Sequence, residues 1–458
     1  MKLSVAALAL AVSLVAVPLA QQPAPAATAP SRHVVLISID GLRPDYYLPR
    51  PGKQTKTPAL DALLARGSWA EGVIGQFPSL TYPSHTSIVT GVPPGIHGIV
   101  QNTMFAGTGE GGWYFDNSAI KVPALWDAAK TAGLTTGGIS WPVTVGAKID
   151  YLLPETNQAP RDMTWLDLMR RQSTPGLVDA VVARLGTFDP NGNRDYKERD
   201  RFSVAAAAEI LERHKPNLLL IHLVEADTAQ HSYGPNSPQA IDAMTRIDAA
   251  VGAIVKSVET AGIAAETTIV ITGDHGFYRV HSAFQPNVIL REAGLLQVDA
   301  KGAITSWQAL AHRAAIKLKD PQDTALAARV EKLFTDLADG RYKGLFRVVG
   351  RKELAERESD PDAVLFLEPI EGYTTAAGTQ GGFLIASPRG GDHGYMPDAL
   401  PMRTGLIMAG AGIKPGVAMP VARQIDIAPT VARLLGYEMP QAEGAPIVGL
   451  IANPNSVR

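Results

Sequence analysis

The chain has 458 residues, which is enough for a large folded core with an insertion. Its 46% apolar and 19% charged residues are typical of a globular protein and exclude a disordered or fibrous one. Because 42 basic and 44 acidic residues nearly cancel, no overall charge indicates a nucleic-acid or membrane-surface partner. The chain has no cysteine, so a metal site would have to use histidine and carboxylate ligands.

The N-terminal segment has the pattern of an export signal. Lys2 precedes an apolar run over residues 3–17, and a processing point follows near residue 20. The apolar run is short for a bilayer span. We therefore expect a signal peptide over 1–20, a Pro/Ala-rich linker over 21–30, and a mature chain without a transmembrane helix that is periplasmic or secreted.

Three apolar runs that each end in an acid organise the rest of the chain. They are 33–39 before Asp40, 217–224 before Asp227, and 267–272 before Asp274. Runs with little polar alternation favour parallel strands that are covered on both faces. The segments between them have helical patterns, at 57–66, 123–132, 200–214 and 238–261. This alternation predicts a doubly wound α/β sheet, in which ligands gather at the carboxyl ends of the strands.

Histidines lie close to two of these acids. Asp227 and His231 are four residues apart, so on a helix they would face the same way. His275 follows Asp274 directly within a Gly-Asp-His-Gly motif, and this motif recurs around His393. Six nitrogen or oxygen ligands suffice for two metal ions. The candidate ligands are Asp40, Asp227, His231, Asp274, His275 and His393. The histidines expected to be structural are His33, His97, His214, His222, His281 and His312.

Segment 77–91 offers four hydroxyl side chains as candidate nucleophiles. Pro83 suits a first helical turn and Gly91 a helix C-terminus, which predicts that Thr81 lies just before a helix. A hydroxyl there is close to backbone N–H donors and to the positive end of the helix dipole. Metal coordination would lower its pKa enough for reaction at neutral pH. Spacing alone does not rank the candidates Ser79, Thr81, Ser84 and Thr86.

Several short motifs occur together in a characteristic order. They are Asp40-Gly-Leu-Arg-Pro-Asp45, Thr81-Tyr-Pro-Ser-His85, Asp227 to His231, Gly273-Asp-His-Gly276 and His393-Gly-Tyr395. Taken in this order, over about residues 33–436, they resemble the type I phosphodiesterase/nucleotide pyrophosphatase family of the alkaline phosphatase superfamily. The resemblance implies an exported or surface-exposed enzyme with an alkaline-phosphatase-like core and two zinc ions.

The resemblance also implies a role for each matching residue. One zinc would be held by Asp40, Thr81, Asp274 and His275, and the other by Asp227, His231 and His393. Thr81 would be the nucleophile of two in-line displacements through a covalent phosphothreonine. Asn102 would donate to a non-bridging phosphate oxygen, and Tyr82 would pack on the leaving group or base. A core position for Tyr82 is the alternative. The implied substrate is a small phosphodiester, phosphoanhydride or nucleotide, with no stable nucleic-acid partner.

Three other functions remain open. A threonine-dependent phosphomonoesterase typically needs Lys-x-Arg after the central strand, where this chain has Trp141-Pro142. Residues 90–94 favour a phosphonoacetate hydrolase-like enzyme, whereas residues 82–85 fit the diesterase motif better. A zinc-binding homologue without catalysis is disfavoured because every expected ligand position is present.

The long stretch between His275 and His393 is predicted to be an insertion. It has helical patterns at 322–340 and 352–357. We expect the first part of the catalytic core over 31–275 and its last part over 393–458. Residues 276–392 would form a small α/β cap subdomain over the metals, in which substrate choice is determined.

Overall fold

A computed structural model of the chain describes residues 32–156 and 158–452. The predicted signal peptide over 1–20 and linker over 21–30 lie outside the described residues, so both stay predictions. Within the described ranges, no helix combines the length and the apolar character that a bilayer span needs.

The described strands and helices alternate along the first half of the chain, as the sequence predicts. The strands are β1 (His33–Ile39), β2 (Gly67–Ile74), β3 (Thr103–Phe105), β4 (Glu110–Trp113), β5 (Thr136–Ile139), β6 (Tyr151–Leu153), β7 (Leu218–Leu223), β8 (Thr267–Gly273), β9 (Tyr278–Phe284), β10 (Leu296–Val298), β11 (Ile304–Trp307), β12 (Ala309–His312), β13 (Ala315–Leu318), β14 (Phe346–Gly350), β15 (Ala363–Pro369), β16 (Gly372–Thr375), β17 (Leu384–Ala386), β18 (Gly391–Asp392), β19 (Thr404–Gly410), β20 (Ala418–Met419) and β21 (Ala422–Arg423). The helices are α1 (Pro58–Arg66), α2 (Thr81–Thr90), α3 (Pro94–His97), α4 (Leu125–Thr131), α5 (Trp165–Gln172), α6 (Leu177–Leu185), α7 (Tyr196–His214), α8 (Glu225–Tyr233), α9 (Pro238–Thr260), α10 (Pro286–Glu292), α11 (Thr324–Asp339), α12 (Arg351–Glu356) and α13 (Ile427–Leu434).

A nine-stranded sheet forms the centre of the described fold. Its order is β20-β2-β19-β8-β1-β7-β5-β6, and β21 also pairs with β2. β1 lies between β7 and β8 and is parallel to both. β19 is antiparallel to β8 and β2, and the other pairings are parallel. The predicted, mainly parallel α/β sheet is therefore confirmed, and the three acid-ended runs are its adjacent strands β8, β1 and β7.

Both faces of this sheet are covered, which explains why β1 has no polar alternation. Val35 and Ile37 pack with residues of α1, α7 and α9 on one face. Val34 and Leu36 pack with residues of α4 and α13 on the other face. Each side chain is at most 1% exposed, so burial stabilises the strand on both sides by about 1.5–3 kcal/mol per side chain.

The stretch predicted as a cap builds separate sheets. Its strands β12, β13, β15 and β14 form one sheet, and β16, β9, β17 and β18 form another, so none of them extends the central sheet. An apolar cluster that includes Phe284, Phe334 and Leu365 fills this part of the molecule. The boundaries of a cap subdomain stay a prediction.

Glu368 on β15 gives this region a measurable pH dependence. Its carboxylate accepts a hydrogen bond from the Met396 N–H at 2.8 Å, and burial raises its pKa from 4.5 to about 7. The folded state therefore binds this proton more tightly than the unfolded chain, and stability falls as pH rises from 4.5 to about 7. We expect Glu368→Gln to be more stable than wild type by up to about 3 kcal/mol above this range, and the difference to shrink below it. Urea unfolding across the range tests this, and a difference independent of pH would contradict it.

Candidate active site

The carboxyl ends of β1 and β8 bring the first group of candidate ligands together. Asp40 follows β1, while Asp274 and His275 follow β8. His275 Nε2 lies 3.3 Å from Asp40 Oδ1 and 3.1 Å from Asp274 Oδ2. Thr81 Oγ1 lies 3.3 Å from the same nitrogen. The four residues assigned to one ion thus converge on one point.

The second group is Asp227, His231 and His393. Asp227 Oδ1 lies 3.3 Å from His231 Nε2 and 3.7 Å from His393 Nε2. Asp227 and His231 are one turn apart on α8, as their spacing predicts, and His393 follows β18. The rings of His275 and His393 stack with their centroids 3.5 Å apart, so the two groups are neighbours.

Backbone carbonyls orient all three candidate histidines. Each Nδ1 lies within hydrogen-bonding distance of a carbonyl oxygen: Gly391 at 3.0 Å for His231, Gly276 at 3.2 Å for His275, and Ser79 at 2.9 Å for His393. Because a carbonyl can only accept, Nδ1 carries the proton in His275 and His393, and their Nε2 atoms keep the lone pair for the carboxylate side. At His231, the guanidinium donor Arg389 Nη1 also lies 3.3 Å from Nδ1. Metal-binding histidines are held in this way.

The electrostatics of the two groups fit divalent cations. Burial, and then the neighbouring acids, raises the pKa values of Asp40 and Asp274 well above the ordinary range, and burial also raises the pKa of Asp227. One buried oxygen of each acid has no hydrogen-bond partner in the described part of the chain. Burial also lowers the pKa values of His275 and His393, which keeps the imidazoles neutral. Cations would compensate the carboxylates and bind neutral imidazoles.

Among the four candidate hydroxyls, Thr81 alone lines the cleft above these groups. Ser79 donates to the Tyr395 carbonyl at 2.8 Å, and Thr86 donates to the Tyr82 carbonyl at 2.8 Å. Ser84 is fully buried and has no partner for its hydroxyl among the described residues. Thr81 is the first residue of α2 rather than the residue before it.

Asn102 lies beside Thr81 in the same cleft. Its Oδ1 accepts a hydrogen bond from the Tyr82 backbone N–H at 2.9 Å. Because an N–H can only donate, this contact fixes the orientation of the amide group. No described residue accepts a hydrogen bond from Nδ2, so this donor can face a ligand in the cleft.

The cleft has a volume of about 660 Å³ and is built from two parts of the chain. Residues before His275 contribute Thr81, Asn102, Trp113 and Tyr196. The predicted cap stretch contributes other side chains, including two arginines. The volume lies within the range of small-molecule sites.

The family model for type I phosphodiesterase / nucleotide pyrophosphatase matches residues 34–396. The protein belongs to this family. The family predicted from the sequence motifs is therefore confirmed, and with it the class of hydrolases to which the chain is related.

Individual family members resemble this chain to different extents. An uncharacterised pyrophosphatase/phosphodiesterase of Schizosaccharomyces pombe is 27% identical over 246 residues. That match covers 53% of this chain and 44% of the yeast protein, so the chain spans less than half of that relative. Human ectonucleotide pyrophosphatase/phosphodiesterase family member 7 is 22% identical over 470 residues. That match covers 96% of this chain and 88% of the human protein.

Solved structures of the family confirm the fold. An inactive Thr-to-Ala variant of murine ectonucleotide pyrophosphatase/phosphodiesterase 5, in complex with AMP, has a TM-score of 0.65. The comparison covers 92% of this chain and 100% of the murine chain at 20% sequence identity. At that identity the likeness establishes the architecture.

In this member of the type I phosphodiesterase family, Tyr82 does not line the cleft. Its side chain is fully buried, with its ring 5.1 Å from Trp113 and 6.4 Å from Phe115, and its packing on a substrate group stays a prediction. This burial fits the alternative, a core position. Trp113, which packs on Tyr82, lines the cleft instead.

His222 lies in the site, although its sequence context predicts only a structural role. It lies on β7, and its Nε2 is 3.1 Å from Asp40 Oδ2. Its Nδ1 is 3.1 Å from the Ser140 carbonyl and 3.8 Å from Glu155, which pairs with buried Arg199 at 3.1 Å. The signal that could have found it is a single polar residue near the carboxyl end of a fully buried strand.

Proposed function

We propose that the protein is a metal-dependent phosphodiesterase or nucleotide pyrophosphatase with Thr81 as its nucleophile. The observation that carries the proposal is the position of the Thr81 hydroxyl. It lies in the cleft, 3.3 Å from His275 Nε2, beside two adjoining carboxylate–imidazole groups.

The donor set supports two zinc ions, because zinc binds imidazole nitrogen and carboxylate oxygen in sites with three protein ligands. Such ions, when bound, lower the pKa of a hydroxyl and stabilise the negative charge of phosphate oxygens. The residues that would hold one ion are Asp40, Thr81, Asp274 and His275. The residues that would hold the other are Asp227, His231 and His393.

The chemistry at Thr81 consists of two in-line displacements. The Thr81 hydroxyl gives its proton to water as Oγ1 forms a bond to phosphorus. The bond from phosphorus to the leaving oxygen breaks, and the leaving oxygen keeps the electron pair. Water then attacks the phosphothreonine and restores the hydroxyl. Asn102 would donate its amide hydrogen to a non-bridging oxygen, and the positive end of the α2 dipole would stabilise the same charge.

A small phosphate ester or nucleotide suits the cleft. Trp113 and Tyr196 line it and offer aromatic surfaces to a base. The AMP complex of the murine relative supports a nucleotide as one substrate class. On the pattern of residues 1–20, we also propose that the enzyme acts outside the cytoplasm.

The diesterase proposal predicts an order of activities. Bis-p-nitrophenyl phosphate should be hydrolysed with a higher kcat/KM than p-nitrophenyl phosphate, because the diester has one negative charge fewer. A chelator should abolish both activities, and zinc should restore them. Faster turnover of the monoester would favour a phosphomonoesterase, and phosphonoacetate as the preferred substrate would favour the phosphonate-cleaving branch.

His222 should position Asp40 for metal binding. We expect His222→Gln to weaken zinc binding about tenfold or more, since loss of an outer hydrogen-bond partner costs this much at other metal sites. Competition with a chromophoric chelator measures the affinity directly. His281→Gln is the matched control, because His281 is exposed on β9. Equal zinc affinity of His222→Gln and wild type would contradict this role.

A further inference from the structure

Two arginines from the predicted cap stretch line the cleft together with Thr81 and Asn102. Arg313 lies in the turn between β12 and β13, and Arg389 lies just before β18. Their side chains are 26% and 45% exposed, so neither guanidinium is closed off by packing. The proposed displacement at Thr81 uses neither of them.

One buried carboxylate binds the Arg389 guanidinium and lies close to that of Arg313. Asp392 is 2% exposed, and its Oδ1 accepts from Arg389 Nη1 at 3.1 Å and lies 3.9 Å from Arg313 Nη2. The Thr374 hydroxyl donates to Oδ2, and the His393 N–H donates to Oδ1 at 3.0 Å. Two cations thus share one acid that already has other donors, so positive charge and N–H groups remain for the cleft.

The other acids of the cleft do not cancel this charge. Asp227 belongs to a candidate metal group, and Glu110 is an exposed residue of β4. Arg313 donates no hydrogen bond to any residue in the described part of the chain. Its five N–H donors therefore have no acceptor among the described residues.

The backbone at Arg313 is held in an unusual conformation. Its φ of +55° lies in the left-handed region, in the two-residue turn that joins β12 to β13. Glycine is the residue that adopts this conformation without cost, and strained non-glycine residues cluster at ligand-binding sites. The turn alone therefore does not explain why this position has an arginine rather than a glycine.

We propose that Arg313 and Arg389 bind the phosphate next to the scissile phosphorus, and so select phosphoanhydrides such as nucleoside triphosphates. The inference rests on the proposed function and narrows its substrate class. Two forked guanidinium groups match the oxygen geometry of a phosphoryl group. If the base of a nucleotide packs on the aromatic surfaces of Trp113 and Tyr196, its phosphate groups are the part that the arginines can bind.

The bond changes account for the effect on rate. The Thr81 hydroxyl gives its proton to water as Oγ1 bonds to the α-phosphorus, the bond to the bridging oxygen breaks, and pyrophosphate leaves with the electron pair. Negative charge on the leaving group increases as that bond breaks. Arginines placed at the leaving phosphate stabilise the transition state more than the bound substrate.

A pair of substrates with the same nucleotide tests the inference. Thymidine 5′-triphosphate and thymidine 5′-monophosphate p-nitrophenyl ester differ only in the leaving group. We expect Arg313→Gln and Arg389→Gln each to lower the ratio of kcat/KM for the triphosphate to kcat/KM for the ester by about tenfold or more. Inorganic pyrophosphate should also inhibit ester hydrolysis less strongly in both variants. Arg341→Gln, an exposed arginine of the same stretch, should leave the ratio unchanged.

The outcomes separate this inference from the proposed function. An equal loss on both substrates would mean that the arginines only organise Asp392, which overturns the inference. An unchanged ratio, or a selective loss on p-nitrophenyl phosphate, would overturn it as well. Absence of wild-type activity on both thymidine substrates and on bis-p-nitrophenyl phosphate would overturn the proposed function itself.

Discussion

Thr81→Ala is expected to lower kcat/KM for bis-p-nitrophenyl phosphate by on the order of 10³-fold or more, while the protein still binds zinc. The alanine cannot form the phosphothreonine, so the reaction loses its covalent step. Six of the candidate ligands are carboxylates or imidazoles that the substitution leaves in place at their observed distances, including Asp40, Asp274 and His275. Steady-state kinetics and metal analysis of the same preparation measure both properties.

Ser84→Ala is the matched control for this experiment. Ser84 lies one turn along the same helix, and its buried hydroxyl has no partner among the described residues. Removing that hydroxyl leaves no other polar group without a hydrogen-bond partner. The kcat/KM and the equilibrium constant of unfolding should therefore both stay within about a factor of two of wild type. Loss of activity in Ser84→Ala, with activity retained in Thr81→Ala, would identify Ser84 rather than Thr81 as the nucleophile.

The parts of the fold that could be predicted depend on local pattern. Between His33 and Ser38 the run 33–39 has only apolar residues on both faces, and it forms β1 at the centre of the sheet. Asp227 and His231 meet because four residues make about one turn of α8. The three acids meet because their strands are adjacent and parallel, which follows from the alternation of strands and helices.

The parts that could not be predicted depend on contacts between distant segments. Spacing could not rank Thr81 above Ser84, because burial against the rest of the fold separates them. Tyr82 follows Thr81 directly, yet it packs beneath Trp113 of the β3–β4 hairpin. His222 and Asp40 are 182 positions apart in sequence. A single sequence contains no signal for such pairings unless a motif carries it.

Removing the metal ions should lower the melting temperature of the protein by about 5 °C or more near pH 8, because ligands that bind only the folded state stabilise it. Without cations, the buried carboxylates of Asp40 and Asp274 and the half-buried carboxylate of Asp227 lie close to one another. Differential scanning calorimetry of chelator-treated and zinc-loaded protein measures the difference. Asp40→Asn removes one of these charges, so its metal-free form should melt above metal-free wild type.

The difference in melting temperature should widen as pH rises from about 5 to about 8. Burial raises the pKa values of these three acids above 3.8, so the metal-free folded state binds protons more tightly than the unfolded chain. Its stability therefore falls as pH rises above that value, whereas bound cations compensate the same charges. At lower pH, protons compete with metal for the carboxylates, and the two forms converge. A larger difference at the acidic end would contradict a buried carboxylate site for cations.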